Sequence, residues 1–237
     1  MTWSLIARDP VTQAFGIAVA TKNFAVGCRV PFISSGIGAI ATQALVNPFY
    51  GAHGLMFLQD EMPPEEIIQI LTEGDEGRDH RQVHIMDRHG RIAAHTGKAC
   101  IDWCGHTAGE GFSVAGNMLA GPAVIEETAK AYQAGVALPF PRRLIAALKA
   151  GEAAGGDKRG KQSAALVIYG EEEWPDLDLR VDDHADPLPE LERLEKVSRE
   201  RWVHFAKFLP NSKNPSGELD RAKIDAGIAA ALASEPK

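Results

Sequence analysis

A chain of 237 residues, 45% hydrophobic and 24% charged, is long enough to bury a core as one domain and too apolar to remain disordered. Its formal net charge of −7 offers no cationic surface to release counterions from a phosphate backbone, which excludes nucleic acid and disfavours an anionic membrane as partner. Three cysteines, Cys28, Cys100 and Cys104, are odd in number and irregular in spacing, so they make no disulfide framework and fit a reducing compartment. No stretch approaches the roughly 20 apolar residues of a membrane helix, and residues 1–9 lack the basic start and apolar centre of a signal peptide. A cytoplasmic protein is the expectation.

The chain opens with the pattern of a β-hairpin. Residues 2–7 and 15–22 are β-compatible, and Asp9, Pro10, Thr12 and Gln13 between them supply turn chemistry. A turn centred near Val11 or Thr12 sets Thr2 opposite either Thr21 or Lys22. Small apolar residues at 37–44 predict another strand, bounded by Gly36 and by Asn47-Pro48, an N-cap followed by proline at the first helical position. Helices are predicted at 48–59 and at 64–73. Glu65 and Glu66 suit the positive end of the second, and Gly74 stops it. Strands at 81–87 and 91–96 flank Arg88-His89-Gly90, and a third follows at 111–115. Helices at 122–134 and 141–150, strands at 163–169 and 178–182, and a long amphipathic helix at 189–208 complete the pattern. The turn-rich segment 210–217 leads to an alanine-rich helix at 218–233 that packs on the domain or on a second subunit, which leaves a homo-oligomer open. Residues 1–208 are therefore expected to form one domain and 209–237 a linker with its helix. Runs of strands separated by helix pairs favour antiparallel sheets with segregated helices. Two such sheets packed together give an α+β, four-layer αββα sandwich of antiparallel sheets.

Several motifs then carry a resemblance. Met1-Thr2-Trp3-Ser4-Leu5-Ile6-Ala7-Arg8-Asp9, Ala41-Thr42-Gln43-Ala44, Asn47-Pro48-Phe49-Tyr50-Gly51, Gly116-Asn117-Met118-Leu119, the glycine-rich run from Ala154 to Leu166 and Asp178-Leu179-Arg180-Val181-Asp182-Asp183-His184 together resemble the family called domain of unknown function 1028. The resemblance spans about residues 1–195. It implies the fold of the N-terminal-nucleophile hydrolases, in agreement with the element order, and their general reaction class. No substrate comes with it.

In that superfamily the first residue of the mature chain is Thr, Ser or Cys, and its own α-amine activates the side chain. An α-amino group has an unperturbed pKa of about 7.7 to 8.0, so a useful fraction is unprotonated near neutrality. A threonine hydroxyl needs such a neighbour. Removal of Met1 would expose Thr2 in this role, against the bland reading of Thr2 as an ordinary β-branched residue starting a strand. Lys22, if opposite, could lower the hydroxyl pKa and hold the amine neutral. Ser4 shares the strand face of Thr2 because side chains alternate with period two, as a supporting hydroxyl or as a pocket or surface serine. Asn117, expected in a loop before a helix, either aims its amide at an oxyanion or holds its own turn. Gln43 ends the small-residue strand beside Thr42 and either binds a ligand or caps the Asn47-Pro48 turn.

Other motifs are weaker. The run Gly155-Gly156-Asp157-Lys158-Arg159-Gly160-Lys161-Gln162 approaches a phosphate-binding loop but carries Gln162 where the Mg²⁺-binding hydroxyl belongs, and its helix precedes its strand. A glycine cap and basic turn explain it better, with some room for a carboxylate-bearing ligand near Lys158, Arg159 or Lys161. Cys100, Cys104 and His106, even with Cys28, provide one short ligand cluster where zinc sites pair two, so no metal is expected. His80, His84, His89 and His95 are scattered and expected to be surface or structural groups. Asp182, Asp183 and His184 at a strand end either orient an amine, bind substrate and relay a proton, or pair with Arg180 and cap the next helix. The reading as a whole is an amidohydrolase with Thr2 as nucleophile, acting on a small amide-type substrate without a cofactor. The alternative is a non-catalytic small-molecule-binding protein that kept the hydrolase fold.

Overall fold

The computed structural model describes residues 2–234, and strand pairing dominates its first part. β1 (Thr2–Arg8) and β2 (Phe15–Thr21) form the opening hairpin, with Asp9 accepting from the Val11 and Thr12 amides to tighten the turn. β1 lies between β2 and β8 (Phe112–Leu119), and β9 (Ser163–Tyr169), β10 (Leu177–Val181) and β7 (Trp103–Gly109) complete a six-stranded antiparallel sheet in the order β10-β9-β2-β1-β8-β7. A second sheet has the order β3-β4-β5-β6, from Pro31–Ser34, Gly38–Ala44, Arg81–Asp87 and Ile92–Thr96. Its pairs are antiparallel too, so the protein is α+β with two antiparallel sheets.

Alternation along the strands decides what each sheet face meets. On β2, Phe15, Ile17 and Val19 form a core cluster with Ile6 of β1 and with Ala39, Ala41 and Met86 of the second sheet. A Cβ at the intervening Gly16 would instead meet Leu144 and Phe140 of α4 (Phe140–Ala153). α3 (Ala123–Ala134) and α4 pack on that outer face. On the second sheet, Ile40, Val83 and Ile85 turn away from the first and join Tyr50 and Leu58 of α1 (Pro48–Gln59) and Ile67 and Leu71 of α2 (Pro64–Glu73). The sheets therefore meet face to face, each with a helix pair on its other side. α1 starts where the sequence places it: Asn47 accepts from the Phe49 amide at 3.1 Å and Pro48 opens the helix.

The chain divides into two compact units, residues 1–191 and 192–237. The division falls within α5 (Pro187–Glu200) rather than at the expected linker after residue 208. In the second unit α6 (Trp202–Phe205) packs on α7 (Arg221–Ser234), and Arg201 pairs with Asp225 at 2.9 Å. Three features depart from the sequence reading. The helix expected over 189–208 breaks at Arg201, whose φ of −152° is not helical. β3 and β7 were not expected. β8 also runs on to Leu119, so Asn117 is a strand residue paired with Thr2 and not a loop residue.

Candidate functional site

Toward the Thr2 end, the space between the sheets changes from apolar to polar. Thr2, Ser4, Thr21, Gln43, Gln82, His84, Ser113 and Asn117 are all buried there. Burying so many polar groups is tolerable only if their hydrogen bonds are satisfied.

The hydrogen bonds run in a determined direction. Gln43 Nε2 donates to the Ala115 carbonyl at 3.1 Å and to Gln82 Oε1 at 2.8 Å, which leaves Gln43 Oε1 to accept the Ser4 hydroxyl at 2.8 Å. With its proton committed, Ser4 Oγ accepts from His84 Nε2 at 2.9 Å, so His84 Nδ1 must accept from Ser113 Oγ at 2.9 Å. His84 is thus the neutral Nε2–H tautomer. Burial, then the nearby His106, pushes its pKa down to about 3. Gln82 Nε2 donates to the carbonyls of Gly116 (2.8 Å) and Gly105 (3.1 Å) and to Thr96 Oγ1 (2.9 Å), and Thr96 Oγ1 shares a hydrogen bond with His106 Nδ1 at 3.0 Å. Asn117 Nδ2 donates to Gln82 Oε1 at 3.0 Å and, at 3.4 Å, to the carbonyl of Thr2. The network therefore reaches the Thr2 backbone through Asn117.

The Thr2 hydroxyl lies 3.1 Å from that of Thr21, its cross-strand neighbour. Both line a cavity of about 360 Å³ whose walls include Asn23, Phe24, Val26, Arg29, Gln43 and Val46. The backbone around it is strained: Ala25, Ala44 and Met118 hold φ of 52°, 70° and 55°, where a non-glycine residue costs roughly 1–2 kcal/mol. Neighbouring bonds hold them there, from Ala25 N to the Asp182 carbonyl (2.9 Å) and from Met118 N to the Ile101 carbonyl (3.2 Å). Strain held in place around a cavity is characteristic of functional sites. Asp157, buried, accepts from the Lys22 amide at 2.8 Å and so fixes the chain where it leaves β2.

The structure brings Thr2, Ser4, Gln43 and Asn117 into one set, although not every role expected of them survives. Both amide hydrogens of Gln43 and of Asn117 are spent inside the network, so neither offers a donor already aimed at an oxyanion. Lys22 is corrected outright: the hairpin register sets Thr21 opposite Thr2, and the Lys22 ammonium is exposed and donates to the Lys161 carbonyl at 3.2 Å. Asp182, Asp183 and His184 lie outside the cavity lining. Asp182 pairs with Arg180 at 2.9 Å, Asp183 accepts from Gln162 at 3.0 Å, and His184 Nδ1 accepts from the Asp186 amide at 2.9 Å. The basic turn is neutralised by the protein's own carboxylates, Lys158 with Asp102, Arg159 with Asp157, and Lys161 with Glu152 and Asp186.

Cys100 and Cys104 donate to the carbonyls of Arg81 and Cys100, and burial raises both thiol pKa values. Among the described residues no group of three or more His, Cys, Asp or Glu side chains is placed to hold a metal ion. No described helix is long and apolar enough to cross a membrane. Sequence reasoning named Thr21 as one of two candidates opposite Thr2, read His84 only as a surface or structural group, and missed Gln82 and Ser113. Their one trace in the sequence is the polar pair Gln82 and His84 alternating with Val83 and Ile85, which reads equally as a strand with one face in water.

The geometry defines a class: an α+β protein of two facing antiparallel sheets with a polar, strained cavity at the start of its first strand. Its model matching over residues 2–191, the chain belongs to the family of unknown function DUF1028. It is similar to the crystal structure of a DUF1028 protein from Silicibacter pomeroyi, at 34% identity and a TM-score of 0.86, covering 92% of this chain and 99% of that one. No curated protein matches the chain.

Proposed function

We propose that the protein is an amidohydrolase of the N-terminal-nucleophile kind, its two sheets and flanking helix pairs forming that superfamily's αββα sandwich. Thr2 becomes the nucleophile once Met1, which lies outside the described residues, is removed. The observation that carries this reading is the place of Thr2: a hydroxyl at the start of a central strand, lining a cavity, with its carbonyl held by Asn117 and its hydroxyl by Thr21. After processing, the freed α-amine is joined to the same residue as the hydroxyl and lies within reach of it directly or through one water. The amine takes the hydroxyl proton as Oγ1 attacks the amide carbonyl. Collapse of the tetrahedral adduct expels the leaving amine, which takes that proton from the α-ammonium and leaves an ester on Thr2. A water molecule, deprotonated by the same amine, hydrolyses the ester and regenerates Thr2. Asn117 acts here as a positioning residue, fixing the Thr2 backbone through the Gln82 and Gln43 amides.

One observation favours a second reading where Met1 is retained. Among the described residues the only hydrogen-bond partner of the Thr2 hydroxyl is another hydroxyl, Thr21, and the nearby imidazole of His84 is committed to Ser4 and Ser113. With no amine at Thr2, none of the described side chains there is placed to take its proton, and the cavity binds a small molecule without turning it over.

Intact mass of protein from its native host establishes whether Met1 is removed. A screen across amides, ureas and acylated amino acids on the processed protein then seeks turnover. Thr2→Ala is expected to abolish that turnover with an unchanged circular dichroism spectrum, and Thr2→Ser to retain part of it. Hydrolysis by Thr2→Ala at the wild-type rate would falsify the mechanism.

A further inference from the structure

Among the described residues that line the cavity, Arg29 is the single charged side chain, and no carboxylate is among them. Among the other cations, Lys22 donates to the Lys161 carbonyl and lies outside the cavity lining. Lys158, Arg159, Lys161 and Arg180 each meet an Asp or Glu at 3.3 Å or less. Arg29 instead spends one donor, through Nη2, on the carbonyl of Phe24. Arg29 is exposed at the cavity's edge, and among the described residues that bond leaves most of its five N–H donors unspent. The chain is acidic by a formal charge of −7, so acids to neutralise an arginine were abundant in composition. Among the described residues none is supplied at this position.

Thr2, Thr21, Asn23 and Gln43 make one part of the remaining wall polar, and the other part is apolar and partly uncovered. Phe24 is 59% exposed while lining the cavity, and Val26, Val30 and Val46 line it as well. At about 360 Å³ the cavity lies at the small end of the roughly 300–1,000 Å³ typical of ligand pockets. A compact ligand with an apolar body and one anionic group meets these walls. One guanidinium with no second cation suits a singly charged, planar carboxylate, which it can grip with two parallel N–H bonds, better than a doubly charged phosphate.

We propose that Arg29 anchors a carboxylate of the ligand, so that the cavity takes small carboxylate-bearing amides whose apolar part lies against Phe24, Val26 and Val46. Only the word amide rests on the reading of Thr2 as nucleophile; the carboxylate anchor rests on Arg29 and the cavity alone. Arg29 sets specificity and does no chemistry.

Binding without turnover keeps the two ideas separable. The Thr2→Ala protein is titrated by calorimetry with N-acetylglycine, N-hexanoylglycine and N-benzoylglycine, and with the three matching glycinamides, which lack only the charge. The acids are expected to bind at least tenfold more tightly than the amides. Adding Arg29→Ala should erase that preference, and adding Arg29→Lys should leave part of it, because a point charge keeps the attraction and loses the fork. Equal binding of acids and amides, a preference that survives Arg29→Ala, or no binding of any acid would each overturn the anchor. The processed wild-type protein is then given the same six compounds. Arg29-dependent binding without cleavage keeps the anchor and removes the hydrolase reading. Cleavage of acids and amides at equal kcat/KM keeps the hydrolase and removes the anchor.

Discussion

His84 has its ring between two serine hydroxyls, with Nε2 on Ser4 and Nδ1 on Ser113, and it is fully buried. A proton added to it would find no anion there and would turn the Nδ1 acceptor into a donor facing an oxygen whose own hydrogen points at it. The native pKa of about 3 against an ordinary 6.5 then fixes the sign of a stability effect. Below pH 6.5 the unfolded chain binds a proton that the folded chain refuses. The stabilisation is therefore complete above 6.5 and is lost as pH falls toward 3, at up to about 1.4 kcal/mol per unit. His106, whose pKa is also lowered, by burial and by His95, adds a contribution of the same sign. Urea midpoints at pH 7.5 and 4.5 should show a larger loss for wild type than for His84→Gln, which can still donate and accept but cannot titrate. An equal loss in both proteins would mean that His84 is protonated in the fold. This residue was hidden in the sequence because Gln82 and His84 alternate with Val83 and Ile85, the pattern of a strand with one face in water. Only the second sheet turns that face into an interior. Thr2, Ser4, Gln43 and Asn117 could be singled out because they stand at strand starts and ends inside recognisable motifs. Lys22 misled because a hairpin turn located to within one residue permits two registers, and one residue reverses the face of a side chain.

At the scale of elements, what carries its own end signal was legible. α1 begins where Asn47 and Pro48 place it, and β5 lies where the alternation of Val83 and Ile85 with Gln82 and His84 places it. β7 gave no such signal, since Trp103-Cys104-Gly105-His106-Thr107-Ala108-Gly109 has small residues and no apolar alternation. It is held as an edge strand by pairing with β8, with an irregularity at Trp103 and Gly105. β3 opens with Pro31 and is likewise an edge. α1 also shows a packing device that the helical pattern conceals. Its Gly51 and Gly54 face the sheet, where a Cβ at Gly51 would enter the ring of Phe32 and one at Gly54 would meet Ile40 Cδ1 at 2.5 Å. Alanine favours a helix over glycine by about 1 kcal/mol, whereas overpacking costs about 1–3 kcal/mol. The ring of Phe32 must move bodily, but the Ile40 methyl is a flexible tip. Gly51→Ala is therefore expected to lower the urea midpoint, and Gly54→Ala to change it little. A more stable Gly51→Ala would show that the helix sits farther from β3 than this packing requires.

For the whole molecule, two independent boundaries coincide. The family model ends at residue 191, and so does the first compact unit. The core clusters of β2 with the second sheet and of the second sheet with α1 and α2 lie inside that unit, as do the described residues that line the cavity. Leu188 and Leu191, in the first turns of α5, are fully buried and belong to it. Since these core clusters, whose burial offsets conformational entropy, lie within this unit, a chain ending at Glu200, which keeps α5 whole, is expected to unfold cooperatively. Its near-ultraviolet circular dichroism should be retained, and its urea m-value should fall only in proportion to the surface that the missing residues no longer expose. The Arg29-dependent preference for acylglycines over glycinamides should persist in it. A shortened chain with far-ultraviolet signal but no near-ultraviolet signal and no cooperative transition would have lost its specific packing, and would show that residues 201–237 complete the fold of the first unit.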